Sequence, residues 1–404
     1  MLHRGRLKPR FQTALNTPNP FQTAFAMNPL IPTDRNTACE WRSESTQKPP
    51  KNAVFLRETN AAAVLQNARA DTATVFTGDF HNGKQILAAL KKRLRGGRPS
   101  EKRKPKADTP NADPAAAFHR HRLRQAQQSR LTNMLAVEIG TDFTLGLSRA
   151  PDIRAALADV YDSANNAPFL LPLNLLLGFI GAHEWHKKGV DIPALGGRIH
   201  VPFGVFSPLR GEYLDLVMQA ELPPHFQTAF DIGTGSGVIA ALLAKRGIAR
   251  ITATDNNPRA LACAATNAAR LGLARQIAVE AADLFPAGRA DLIVCNPPWL
   301  PAKPTSAVET ALYDPGHAML RGFLGGARQH LNEGGEIWLV MSDLAEHLGL
   351  RSPDLLSALF QTASLALVET LHTRPAHAKA ADPSDPLAFA RSRETTTLYR
   401  LRPL

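Results

Sequence analysis

The stretch TAFDIGTGSGVIAALLAK at residues 228–245 decides the fold. It starts as an apolar strand-like run, passes through three glycines and continues as an apolar helix-like run. The glycines let the backbone turn sharply and approach a ligand, and the start of the following helix offers free N–H groups to an anion. A nicotinamide-binding loop needs glycine at its first, third and sixth positions. Here the glycines stand first, third and fifth, and the sixth residue is Val238, which disfavours an oxidoreductase.

Strand-like and helix-like runs alternate from this stretch to the end of the chain. We expect further strands over residues 250–254, 277–280, 290–295, 336–341, 365–370 and 396–401, and helices over 238–246, 258–271 and 319–331. Near-continuous apolar strands that alternate with helices indicate an α/β fold with a parallel sheet covered on both faces. The last two strands are close in sequence, which favours an antiparallel hairpin at the edge of that sheet.

Two aspartates follow the two strands after the glycine loop. Asp255 closes the strand at 250–254, where a carboxylate can accept both hydroxyls of a ribose. Asp283 follows the strand at 277–280, at a depth where an acceptor can meet the exocyclic amine of an adenine. Either aspartate alone is as easily a cap or turn residue. Their order and spacing after the glycine loop favour a nucleoside-binding cleft.

The tetrad Asn296-Pro297-Pro298-Trp299 ends the strand at 290–295. Two prolines cannot continue a β-ladder, so the chain leaves the sheet here on a rigid backbone. The Asn296 side-chain oxygen and the Pro297 carbonyl can both accept hydrogen bonds from one planar NH2 group. Trp299 can stack on a flat amide or base. A structural proline turn beside a core tryptophan is the alternative, and the three preceding features make it the weaker one.

Residues 200–345 resemble the small-domain class I S-adenosylmethionine-dependent methyltransferases, because the glycine loop, the acidic strand ends and the NPPW tetrad occur in that family's order and spacing. That group includes the release-factor glutamine methyltransferases and the adenine and guanine amino-methyltransferases of RNA and DNA. The resemblance implies a seven-stranded, doubly wound, Rossmann-like sheet and S-adenosylmethionine as the methyl donor.

The resemblance also assigns roles to residues. It implies that Asp231, Gly233, Gly235 and Gly237 line the methionine end of the cofactor, Asp255 the ribose and Asp283 the adenine. The predicted cofactor site also includes Thr234, Asn256, Leu284 and Asn296. The residues expected to grip the acceptor nitrogen, and so to be catalytic, are Asn296, Pro297, Pro298 and Trp299.

The release-factor enzymes resemble this chain in layout as well, with a helical N-terminal domain, a hairpin and then the catalytic domain. The segment VFSPLRGEYLDLV at 205–217 stands where those enzymes have a pre-catalytic segment, with Arg210 and Glu212 expected near the donor. Two features depart from their pattern. Trp299 stands where they use tyrosine, and the region before residue 110 is additional. Both departures put a glutamine substrate in doubt.

Charge points to an anionic partner. The formal net charge is +12. The segment KKRLRGGRPSEKRKPK at 91–106 contains nine basic residues and one acidic residue. This segment is either an arm that binds RNA phosphates or a solvated tether, and blocks of like charge usually form tethers. The expected partners are RNA or a translation-associated protein. The oligomeric state is left open.

The expected organisation has five parts. Residues 1–52 are a tail that is either unstructured or, before Met27, the product of a misassigned gene start, because FQTA repeats at 11–14 and 21–24. Residues 53–95 form a small α/β segment, 96–114 a basic linker, 115–194 a helical domain that includes a buried apolar helix over 169–182, and 195–404 the catalytic domain. A hairpin is expected over 196–207.

Other site classes have weaker support. The three cysteines are scattered, which suits a reducing cytoplasm, and no membrane segment of about 20 apolar residues is present. His183 and His186 are three residues apart, but no third metal ligand is evident, so no metal site is expected.

Three functions remain open at this point. The first is an amino-methyltransferase acting on RNA or an RNA-associated protein, and the second is a protein glutamine methyltransferase. The third is a non-catalytic RNA-binding assembly factor, against which the intact NPPW tetrad argues.

Overall fold

The architecture comes from a computed structural model that describes residues 28–96, 113–161, 167–209, 211–375, 382 and 385–404. The first 27 residues, most of the expected basic linker and Arg210 lie outside the described residues. Within those ranges, no helix is both long and apolar enough to cross a membrane.

The first half of the chain folds around a six-stranded mixed sheet. Its strands are β1 (Leu30–Pro32), β2 (Ala38–Trp41), β3 (Asn52–Leu56), β4 (Thr72–Phe76), β5 (Leu135–Ile139) and β6 (Phe169–Pro172). They lie in the order β1-β2-β6-β5-β4-β3. The helices are α1 (Ala61–Arg69), α2 (Phe80–Arg95), α3 (Pro114–Asn133), α4 (Arg154–Ala158) and α5 (Leu173–Lys188).

This sheet corrects three predictions. The described part of the expected 1–52 tail is not unstructured, since β1 and β2 pair antiparallel and β2 continues the sheet beside β6. The expected helical domain at 115–194 is also wrong as a separate unit, because β5 and β6 are central strands. Residues 169–172 were expected to be helical. They form β6, because a short fully apolar run fits a buried strand as well as a buried helix.

A two-stranded hairpin joins the halves. It consists of β7 (Val190–Ile192) and β8 (Gly197–Ile199), which pair antiparallel. The predicted hairpin at 196–207 is therefore several residues too late, and the domain boundary predicted at residue 195 falls inside the hairpin.

The second half contains the predicted seven-stranded sheet. Its strands are β9 (Thr228–Ile232), β10 (Arg250–Asp255), β11 (Ile277–Ala281), β12 (Ala290–Cys295), β13 (Leu331–Ser342), β14 (Leu365–Thr373) and β15 (Thr396–Pro403). The helices are α6 (Glu212–Gln219), α7 (Val238–Lys245), α8 (Pro258–Arg270), α9 (Ala318–Ala327), α10 (Leu344–His347), α11 (Leu355–Thr362) and α12 (Ala388–Arg391).

The strand order β11-β10-β9-β12-β13-β15-β14 confirms the α/β fold class. The first five strands of that order are parallel, and β15 runs antiparallel to both β13 and β14, as expected for the edge. Apolar residues fill both faces. Val238 and Leu242 of α7 belong to one core cluster, whereas Phe323 and Leu324 of α9 belong to another. Burial on both faces is what parallel strands require.

Candidate active site

Three loops of the candidate site leave the sheet at the same level. Strand pairing places Ile232 of β9 beside Thr254 of β10 on one side and beside Cys295 of β12 on the other. The glycine loop follows Ile232 directly, and the NPPW tetrad follows Cys295 directly. In open parallel sheets, ligands bind outside the carboxyl ends of the strands where the winding direction reverses. Here that point lies between β9 and β12.

The glycine loop needs residues without side chains at two positions. Gly235 has φ +55° and open space where a Cβ would be, because it borders a cavity. Gly237 has φ +79°, and a Cβ there would come within 3.1 Å of the Ala264 backbone. Gly235 therefore keeps the cavity open, whereas Gly237 lets α8 pack against the start of α7.

Asp231 lies behind the loop. It is 1% exposed, and its Oδ2 atom accepts hydrogen bonds from Thr234 Oγ1 at 2.6 Å and from the Ala240 backbone N–H at 3.0 Å. Burial raises the pKa of the Asp231 carboxyl to about 6. The carboxylate thus ties the loop to the first turn of α7 without contacting the cavity.

Asp255 sits at the end of β10 and faces the cavity. Its Oδ2 atom accepts from the Gly235 N–H at 3.0 Å and its Oδ1 atom from the Asn257 N–H at 2.8 Å. Burial raises the pKa of this carboxyl. Asp283 lies beyond β11, is exposed and also lines the cavity. Two carboxylates therefore border the same cleft beside the glycine loop.

The tetrad forms the opposite wall. Pro297 is buried, and the Trp299 indole Nε1–H donates to Asn296 Oδ1 at 2.9 Å. Leu300 pairs with the segment before α9, since its backbone carbonyl accepts from the Asp314 N–H at 2.8 Å. The tetrad is thereby tied to the loop that contains Tyr313.

Asp314 fixes that loop on α9. It is 4% exposed, and its two carboxylate oxygens accept from the backbone N–H groups of Met319 at 2.9 Å and Leu320 at 3.1 Å. A carboxylate at a helix N-terminus satisfies free donors and favours the helix dipole. Asp314 is thus an anchor, whereas the Tyr313 side chain lines the cavity.

One cavity of about 1750 Å³ brings the predicted residues together. Of the residues predicted for the cofactor and for the acceptor nitrogen, all line it except Asp231 and Gly237: Gly233, Thr234, Gly235, Asp255, Asn256, Asp283, Leu284, Asn296, Pro297, Pro298 and Trp299. A cavity of this size has room for a nucleoside cofactor together with part of a second substrate.

No sequence pattern indicated the wall of the cavity that α3 of the first half contributes. Phe118 and Arg122 of that helix line the cavity. Arg122 donates to both oxygens of Glu309, at 2.7 and 3.1 Å, and its guanidinium lies 4.2 Å from the centroid of the Tyr313 ring. The only sequence signal was an arginine on a polar helix, which resembles an ordinary solvated face.

The two histidines that the sequence analysis considered and rejected as metal ligands contact a carboxylate. His183 Nδ1 and His186 Nδ1 lie 2.7 and 3.0 Å from Asp159 Oδ2. Among the described residues, no group of three or more His, Cys, Asp and Glu side chains is arranged to hold a metal ion. Glu212 begins α6 and is not among the residues that line the large cavity.

Comparison with known proteins agrees with the sequence resemblance. Residues 197–370 match the family described as the methyltransferase small domain. A release factor glutamine methyltransferase of Cereibacter sphaeroides is 37% identical over 190 residues, which cover 44% of this chain and 65% of the relative. A ribosomal protein uL3 glutamine methyltransferase of Bordetella pertussis is 32% identical over 186 residues, covering 42% and 62%. The chain thus spans less than two thirds of the length of these relatives.

Among solved structures, an S-adenosylmethionine-dependent methyltransferase of Thiobacillus denitrificans, in complex with S-adenosyl-L-homocysteine, is 16% identical. The match covers 49% of this chain and 92% of that protein, with a TM-score of 0.34.

Proposed function

We propose that the chain is an S-adenosylmethionine-dependent N-methyltransferase, as the match of residues 197–370 to the methyltransferase small domain suggests. Its acceptor is a planar amide or amino nitrogen in RNA or in a translation-associated protein. The observation that carries this function is the pairing of Ile232 with Cys295, which starts the glycine loop and the NPPW tetrad side by side in one cavity.

The residues present fit the cofactor. The open space at Gly235 leaves room for a ligand against the loop, and the carboxylates of Asp255 and Asp283 border the same space. We assign the Asp255 carboxylate to the ribose hydroxyls and the Asp283 region, with Leu284, to the adenine. S-adenosylmethionine would supply a methyl group already activated on a sulfonium.

Asn296 then acts as an orienting residue. Its Oδ1 atom and the Pro297 carbonyl accept hydrogen bonds from the acceptor NH2 group. These bonds hold the nitrogen in line with the methyl group to be transferred. Alignment of this kind can lower the activation barrier by about 7–11 kcal/mol. When bound, S-adenosylmethionine would give its methyl group to that nitrogen and leave as the neutral thioether, and the nitrogen would then lose one proton to water. Because the proton leaves after transfer, no strong base is required.

A glutamine side chain in a translation protein is the second acceptor, favoured by the two similar glutamine methyltransferases. The net charge of +12 favours RNA instead. RNA and translation proteins occur in the cytoplasm, so we also propose that the enzyme acts there.

The test is a labelling experiment with radioactive methyl-S-adenosylmethionine and a lysate of cells that lack the gene. The labelled product is divided between nuclease and protease digestion. Label that nuclease releases identifies RNA or DNA as the acceptor, and label lost only to protease identifies a protein. If the unmodified protein transfers no more label than an Asn296→Ala variant, the chain is not a methyltransferase.

A further inference from the structure

A second cavity adjoins the active-site cavity. Its volume is about 490 Å³, and Glu44, Arg122, Gln125 and Glu309 border both spaces. The other side of this second cavity is formed by the last turns of α2, where Lys91 and Arg95 stand one helical turn apart. The second cavity thus extends the active-site cavity toward the first half of the chain.

The acidic groups of this cavity are already neutralised. Glu309 is bound by Arg122 at 2.7 Å, and Glu44 is bound by Arg259 at 3.1 Å. In the described part of the chain, Lys91 and Arg95 form no ion pair. Burial and the neighbouring Arg95 charge lower the pKa of the Lys91 ammonium.

The remaining lining is mixed, with apolar surface from Leu94, Ala126, Leu175, Phe203 and Val308 beside uncharged polar side chains. It supplies amide and hydroxyl groups from Gln125, Gln128, Ser129, Asn133 and Asn174. Such groups bind phosphate oxygens and sugar hydroxyls, whereas Lys and Arg neutralise the phosphate charge.

The surface outside the cavity carries the same charge. Lys92 and Arg93 of α2 are exposed, as are Arg120 and Arg124 of α3, which packs on α2. A polyanion that leaves the cavity would therefore continue over basic surface, which favours a nucleic acid over a single small anion.

We propose that Lys91 and Arg95 bind a phosphodiester of an RNA acceptor, next to the nucleotide whose amino group reaches Asn296. This inference rests on the proposed methyltransferase function and narrows its acceptor to RNA. The cavity places the phosphate on the first half of the chain and the reacting base on the second half.

The test measures binding of a fluorescein-labelled, single-stranded RNA of mixed sequence to the full chain by anisotropy, between about 50 and 200 mM salt. The Lys91→Ala/Arg95→Ala variant is compared with Lys245→Ala/Arg275→Ala, which removes the same charge from two exposed positions of the second half that do not line either cavity. Circular dichroism verifies that both variants are folded.

We expect the first variant to bind RNA several-fold more weakly, and the slope of log affinity against log salt to become shallower by about 0.7 to 1.4, the value for one or two lost phosphate contacts on a single strand. The control should keep the slope of the unmodified protein. Equal slopes for the two variants would overturn the inference. It would also be overturned if polyglutamate bound at the same residues and RNA did not, which would indicate an acidic protein.

Calorimetry with S-adenosylmethionine separates this inference from the function on which it rests. The Lys91→Ala/Arg95→Ala variant should bind the cofactor like the unmodified protein, because neither residue borders the active-site cavity. Absence of cofactor binding in the unmodified protein would instead remove the proposed function itself.

Discussion

The Trp299 indole N–H donates to Asn296 Oδ1 at 2.9 Å within the NPPW tetrad. An amide oxygen has two lone pairs, so this bond occupies one and leaves the other for the acceptor nitrogen. It also fixes which way the amide faces, because the NH2 side of Asn296 could not accept from the indole. A tyrosine ring has no N–H donor to make this bond.

Trp299→Phe should keep an aromatic surface but release the Asn296 amide. A hydrogen bond of this kind contributes about 0.5–1.5 kcal/mol, so we expect label transfer to slow by roughly two- to tenfold with cofactor affinity unchanged. Trp185→Phe is the matched control, because Trp185 is 53% exposed on α5. The indole N–H signal of Trp299 in nuclear magnetic resonance should also shift in Asn296→Ala. An unmoved signal would contradict the hydrogen bond.

Asn296→Ala should abolish methyl transfer and leave cofactor binding within about threefold, because the side chain orients the acceptor and adds little to the cofactor cleft. Radioactive transfer and calorimetry measure the two quantities. Asn332→Ala is a suitable control, since Asn332 binds Asp291 near the start of β13. A variant that lost cofactor affinity instead would refute the orienting role.

Asp231→Asn should change how stability depends on pH. The folded-state pKa of Asp231 is about 6, above the ordinary value of 3.8, so its contribution to stability is present below pH 3.8 and is lost as the pH rises to 6. The asparagine variant lacks this loss. Its free energy of unfolding relative to the unmodified protein should therefore rise by about 2 kcal/mol between pH 4 and 6. Urea titrations at several pH values measure this, and a constant difference would exclude the raised pKa.

Arg122→Ala should weaken the link between the two halves of the chain. The Arg122 and Glu309 side chains are only 15% and 25% exposed and form two hydrogen bonds, so we expect a loss of about 1.5–3 kcal/mol in the free energy of unfolding. Arg154→Ala is the control, because the Arg154–Asp152 pair is exposed. Transfer should fall more than cofactor affinity, since Tyr313 loses the guanidinium that lies over its ring. Equal effects of the two variants would contradict this role.

The second half of the chain was predictable because its local signals agree. The glycine loop, the proline pair after β12 and the long apolar strands each specify one conformation, and β12 has the predicted bounds. The first half lacks such signals. β1 has three residues and β2 four, and neither alternates clearly enough to be recognised alone.

The candidate site divides in the same way. The cofactor side follows from residues near one another in sequence, each at a strand end. The wall formed by Phe118 and Arg122 depends on packing between segments almost two hundred residues apart, and no local pattern encodes such a contact. The bond from Trp299 to Asn296 was missed for a different reason, since the tryptophan was assigned only a stacking role.

The separation between Arg122 and Glu309 has a consequence during synthesis. The two residues stand 187 positions apart, so the arginine leaves the ribosome well before its partner. At about 5–20 residues per second the delay is roughly 10–40 s, during which the wall that α3 contributes to the cavity has nothing opposite it. The active-site cavity is therefore completed late, and a nascent chain can hold no substrate there until the second sheet has emerged.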